Sequence, residues 1–131
     1  MEKLLRISDI VSLHASLNTE TYHIIHQDAF RRLKTGAILI NTAHGSEVDR
    51  NALYQVLVSG QISGAGLDVT DPEPLPSDHP LYQLPNCIIL PHIGSGTFQT
   101  RWKIAEIACD NLLTGLYGQQ LSYCANREVN G

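Results

Sequence analysis

The chain has 131 residues, of which 43% are hydrophobic, 17% charged and 6% aromatic, and its 9 basic against 13 acidic side chains give a formal charge of -4. That length accommodates one domain or part of one, not two independent cores, and the apolar content argues against disorder. Without a Lys/Arg stripe a nucleic-acid partner is disfavoured, and without an apolar run near the roughly 20 residues a bilayer requires, no membrane contact is expected.

In chain order, charges in Met1–Arg6 interrupt any signal-like core, so a cytoplasmic or otherwise soluble organelle protein is expected. Asp9 then opens an apolar run to His14 that suits a strand covered on both faces. Ala29, Phe30 and Leu33 mark a short helix over Asp28–Lys34, stopped by Thr35-Gly36, before a second strand at Ala37–Ile40. The chain turns through Asn41–Gly45. Between Ser46 and Gly60, Val48, Ala52, Leu53, Val56 and Leu57 follow a helical period, with Ser46-x-x-Asp49 resembling a capping box. Ser63–Val69 is a third strand, delivering the proline-rich loop Asp71–Pro76, where helix and central strand are both forbidden. Cys87–Leu90 is a fourth, stopped by Pro91. Phe98, Trp102, Ala105, Cys109, Leu112 and Leu116 then recur at steps of four and three, a long amphipathic helix ending near Gly118. The tail over 121–131 shows no period and is expected to be loose.

Strands alternating with helices at this spacing imply βαβ units: an α/β fold with about four parallel strands, right-handed crossovers and helices on both faces. In such sheets the working residues collect beyond the carboxyl ends of the strands. Those places hold Asn41–Gly45, Asp68 with Glu73, and Pro91–Ser95. A histidine beside a carboxylate serves as a general acid, because the negative charge favours the imidazolium and selects which ring nitrogen faces the substrate. His92 with Glu73 is such a candidate pair; by spacing alone, a loop-capping histidine and a merely solvated glutamate are the favoured reading. The odd number of cysteines, Cys87, Cys109 and Cys124, and the lack of a CxxC spacing support neither a disulfide framework nor a zinc ribbon, so all three are expected to be reduced and packed. His23-x-x-His26 would place two imidazoles on one helical face, but a third ligand at sensible spacing is missing and no metal is expected. Gly94-Ser95-Gly96 opens a helix after a strand, yet Gln99 stands where a third glycine belongs, so no phosphate-cradling glycine loop is present.

Ser8–His14, Thr35–Ala43, Gly64–Val69 and Leu90–Gly94, in that order, resemble the D-isomer-specific 2-hydroxyacid dehydrogenases. The run from Asp68 to Pro76, followed by Asn86–Ser95, is most similar to the glyoxylate and hydroxypyruvate reductase branch. The resemblance implies the second half of a Rossmann-type doubly wound sheet and an oxidoreductase in which NADP or NAD gives hydride to a small 2-oxo acid. It makes His92 the group that protonates the carbonyl oxygen and Glu73 the carboxylate that sustains its imidazolium. It places Asp68 against the nicotinamide carboxamide, and Thr42, Ala43, Gly94, Ser95 and Ala15 along the cofactor; the proline usual after Ala15 is Ser16 here.

One residue departs from the family pattern. The motif reads Asn-x-Ala/Ser-Arg-Gly, its arginine gripping the substrate carboxylate, and here that arginine is His44. An imidazole is mostly neutral at pH 7 and offers one donor where a guanidinium offers a charged fork, a loss of roughly 1.5–3 kcal/mol, or ten- to a hundredfold in turnover or binding. The family also implies that sequence precedes Met1, so that residues 1–120 form a truncated, carboxyl-terminal half of an NAD(P)-binding domain. The first strand then presents an unpaired apolar edge, and association as a homodimer or with a full-length relative is expected. The alternative function is a catalytically inactive homologue that acts by such pairing.

Overall fold

A computed structural model describes residues 1–126, and the chain divides into two compact units, Met1–Ile93 and a second beginning at Gly94. The first contains α1 (Glu2–Ile7), β1 (Ile10–Leu13), α2 (Gln27–Arg32), β2 (Ile38–Asn41), α3 (Arg50–Val58), β3 (Gly64–Leu67) and β4 (Cys87–Ile89), with 3-10 turns at Gly45–Glu47 and Pro80–Gln83. The strands form one sheet in the order β1-β2-β3-β4, every pair parallel. An α/β fold with four parallel strands is therefore observed, and the carboxyl ends of all four strands lie along one border of the sheet.

The register aligns Val11, Leu39, Ala65 and Cys87 in one row and Leu13, Asn41, Leu67 and Ile89 in another. These rows face the core, where Phe30 of α2 and Leu53 and Val56 of α3 are fully buried. The alternate rows, Ile10-Ile38-Gly64 and Ser12-Ile40-Gly66-Ile88, face outward. Ile10 is 61% exposed and Ile88 65%. The expectation of helices on both faces, and of a first strand covered on both sides, is thus not met in this unit. Four-residue strands alternate at period two whatever lies above them, and here both crossover helices pack against the same core rows.

Local chemistry fixes the helix ends. The side chain of Asp49 accepts from the N–H groups of Asn51 and Ala52 and is the cap of α3, so Ser46 is not the capping residue the spacing suggested; it lies one turn earlier, in the 3-10 segment. Helix α2 begins after His26, whose ring nitrogen accepts from Asp28 N–H, and Gly36, at φ 83°, makes the left-handed turn into β2. His26 is thus a cap and His23 lies outside the helix at φ 49°, so the two imidazoles share no helical face. No cluster of metal-ligating side chains occurs among the described residues. Helix α1, not among the expected elements, is held by a Glu2–Arg6 ion pair one turn apart and by the burial of Leu5.

The second unit is built on α4 (Phe98–Leu116), a 19-residue helix capped by Thr97, whose hydroxyl accepts from Thr100 N–H. Its ends agree with the periodicity, and Gly118 follows at φ 66°. None of its side chains is buried: Phe98, Trp102, Leu112 and Leu116 all remain exposed. Beyond it, Asn111 grips the backbone of Tyr123 through two hydrogen bonds, so the described part of the 121–131 tail is tied down; positions 127–131 lie outside the described residues. Cys87 and Cys124 are half-buried, but Cys109 is exposed rather than packed because it shares the uncovered stripe of α4. No described helix is long and apolar enough to cross a membrane.

Candidate active site

Three segments at the carboxyl border of the sheet carry the candidate residues. After β2, Asn41 is 1% exposed and its amide closes the turn on itself: Oδ1 accepts from Ala43 N–H at 3.0 Å and Nδ2 donates to the His44 carbonyl at 2.8 Å. The burial of Asn41 beside Leu13 and Leu67 makes it the side chain that shapes the Thr42-Ala43-His44 loop, since a buried amide must satisfy its own polar atoms locally.

After β3 and β4, two residues 19 positions apart meet. Glu73 Oε1 lies 2.6 Å from His92 Nδ1. An ionised carboxylate can only accept, so Nδ1 is the donor in this contact and Nε2 takes no part in it. His92 adopts φ 56°, a left-handed conformation uncommon for a residue with a β-carbon, and such strain concentrates at functional sites. The next residue is fastened from below: Asp68, nearly buried at the end of β3, accepts the N–H of Ile93 at 2.8 Å through Oδ1. Together these contacts border an open cleft of about 400 Å³ whose walls include Leu75, Tyr82 and Leu90 beside Glu73 and His92. The histidine and glutamate side chains are 59% and 41% exposed, so their contact contributes only about 0–1 kcal/mol to folding.

The remaining sequence-derived candidates are distributed less tightly. Ala15 is half-buried after β1, Thr42 exposed and Ala43 half-buried after β2. His44 is exposed, and no side-chain hydrogen bond joins it to Glu73 or His92 among the described residues. Gly94 and Ser95 belong to the second unit. Two features had no signal in the sequence. Glu47 is completely buried with neither carboxyl oxygen hydrogen-bonded among the described residues, and burial raises its pKa, a shift the nearby His44 partly opposes. Arg50, at the first turn of α3, donates Nη1–H to the Asp71 carbonyl at 2.7 Å, reaching across to the loop that carries Glu73.

A parallel sheet whose polar residues gather at its carboxyl border has the arrangement in which open α/β folds bind their ligands. The family model described as "D-isomer specific 2-hydroxyacid dehydrogenase, NAD binding domain" matches residues 1–94, and the chain belongs to that family. It is 46% identical over 129 residues to a glyoxylate reductase of Korarchaeum cryptofilum, covering 98% of this chain and 39% of that protein. It is 49% identical over 114 residues to the glyoxylate reductase/hydroxypyruvate reductase of Mus musculus, covering 87% of this chain and 35% of that protein. A D-isomer specific 2-hydroxyacid dehydrogenase from Xanthobacter autotrophicus Py2, solved in complex with NADPH and MES, superposes with a TM-score of 0.85 at 30% identity, covering 99% of this chain and 53% of that one. The chain thus carries NAD-binding-domain sequence of the glyoxylate/hydroxypyruvate reductase type, and spans about two fifths of the length of the relatives it matches.

Proposed function

We propose that this chain supplies the acid–base half of the active site of an NADP- or NAD-dependent reductase acting on a small 2-oxo acid such as glyoxylate or hydroxypyruvate. The observation that carries the reading is the 2.6 Å contact of His92 with Glu73 at the carboxyl border of the sheet. In this reading His92 Nε2 holds the proton that passes to the carbonyl oxygen of the substrate, and Glu73 keeps the ring oriented and favours its charged form. Asp68 acts on the same group by fixing the Ile93 amide, which holds His92 in its left-handed conformation.

The residues present fit the reactive end of a dinucleotide and not its phosphates. The cleft beside His92 joins apolar walls, Leu75 and Leu90, to Asp68 and Thr70, a mixture suited to a flat amide-bearing ring. Thr42, Ala43 and Ala15 follow strands that end on the same border, and with Gly94 and Ser95 are assigned to the cofactor. A bound nicotinamide supplies the hydride; the chain's own groups supply the proton and the orientation. No glycine-rich loop of the phosphate-binding kind occurs in the chain, so cofactor affinity of these 131 residues alone is expected to be weak.

The test is a chimera in which the chain replaces the matching 129 residues of the Korarchaeum cryptofilum glyoxylate reductase. NADPH oxidation with glyoxylate and hydroxypyruvate should fall at least a hundredfold on His92→Gln and about tenfold or more on Glu73→Gln, and should rise ten- to a hundredfold on His44→Arg. A chimera whose rate is untouched by His92→Gln would end the proposal. A second reading, a noncatalytic homologue that pairs with a full-length relative, is favoured by His44 alone. It predicts that the chimera stays inactive even with His44→Arg, while the chain still co-purifies with the complete reductase.

A further inference from the structure

The loop that presents Glu73 is gripped from the segment that follows the neighbouring strand β2. Ser46 Oγ donates to Asp71 Oδ2 at 2.5 Å, and Arg50 Nη1–H donates to the Asp71 carbonyl at 2.7 Å. Between them the backbone of residues 45 and 70–71 comes so close that a β-carbon on Gly45 would stand 2.1 Å from the Thr70 carbonyl carbon and oxygen. Only glycine permits that approach. Within the loop, Thr70 Oγ1 donates to the Pro72 carbonyl at 2.8 Å. Pro72 and Pro74 flank Glu73, and each ring fixes its own φ. Little backbone freedom therefore separates Asp71 from Glu73, and an anchor on the first is transmitted to the second. Arg50 is placed at a cost: its Nε is buried without a partner among the described residues, a loss that an arginine pointing freely into water would avoid.

We infer that Arg50, seconded by Ser46, is a positioning residue: it clamps Asp71 so that Glu73 is held within hydrogen-bonding distance of His92. The inference rests on the proposed role of the Glu73–His92 pair for its functional meaning, but the clamp itself is a statement about geometry and is read without turnover. Arg50 touches neither member of the pair. Its guanidinium fork suits a loop carbonyl better than the single charged amine of lysine does, because its direction is set by a planar group. Lysine at this position is still long enough to donate once.

The experiment is histidine-selective NMR on the 131-residue chain. The Nδ1–H of His92, engaged by a carboxylate, should give a low-field resonance protected from solvent exchange, and Glu73→Gln, which replaces the carboxylate acceptor, identifies it by shifting or abolishing it. Arg50→Met should speed exchange of that proton at least tenfold while the thermal transition remains cooperative. Arg50→Lys should recover much of the protection, and Ser46→Ala should speed exchange severalfold. Unchanged protection in Arg50→Met overturns the inference. If Arg50→Met does not fold, Ser46→Ala decides instead: faster exchange supports the clamp and an unaltered resonance refutes it. Because the readout is a hydrogen bond, the clamp is able to fail while the chimera above behaves as proposed, and to hold while the chimera does not.

Discussion

At residue scale, burial and charge set two reactivities. Glu47 is fully buried with both oxygens unpartnered among the described residues, and burial raises its carboxyl pKa above the ordinary 4.5. A group whose folded-state pKa is raised stabilises most below its unfolded pKa and loses that contribution as pH rises through the folded value. The native state should therefore weaken from about pH 4.5 upward, in the direction opposite to paired carboxylates. Glu47→Leu should flatten that dependence and stabilise the chain at pH 7.5 by about 1–3 kcal/mol, the cost of an unsatisfied buried polar group. Urea unfolding at pH 4.5 and 7.5 for both proteins is the check; equal pH slopes would contradict the assignment. The thiol of Cys87, on the covered face of β4, is pushed up to about 11 from 9.0 by burial. At pH 8 it holds about a hundredfold less thiolate than an ordinary cysteine. With Ellman's reagent the exposed Cys109 should react first, and Cys87 only on unfolding.

At element scale, α3 depends on a single side chain at its start. Asp49 satisfies two of the free N–H groups of the first turn, and Asp49→Ala should cost about 0.5–2 kcal/mol in urea unfolding, with Asp49→Ser recovering most of it. The sequence pattern located this helix correctly by its apolar period but assigned the cap to Ser46, since both are capping residue types in suitable places. What separated them was the close approach of Gly45 to Thr70, which draws Gly45–Glu47 into a 3-10 turn and engages Ser46 with Asp71. That approach joins segments 25 residues apart and has no local signature. The fourth helix is the converse case: the four-three spacing from Phe98 and the stop at Gly118 made its ends legible because both signals are local.

At the scale of the whole molecule, a parallel sheet normally has both faces covered, yet the outward rows through Ile10 and Ile88 stay open and so does the stripe on α4. Apolar surface of that extent marks an interaction site or an aggregation liability. The chain should accordingly show a light-scattering mass above its 14.4 kDa at tens of micromolar, and Ile88→Lys, at an exposed position of the edge strand β4, should move it toward monomer without loss of fold. A strict monomer across that range for the unaltered chain would contradict the expectation.

What the amino-acid order determined by itself was whatever depends on neighbours along the chain: the four apolar runs, the helical periods, the glycine stops, and the identity of the motifs that assign the family. The tertiary structure alone decided which of those residues face one another. Glu73 and His92 meet because parallel register brings the ends of β3 and β4 side by side. Glu47 is buried and Arg50 reaches Asp71 because two backbone segments touch at a glycine. Such contacts are set by packing across the sheet, where separation in sequence carries no information about separation in space.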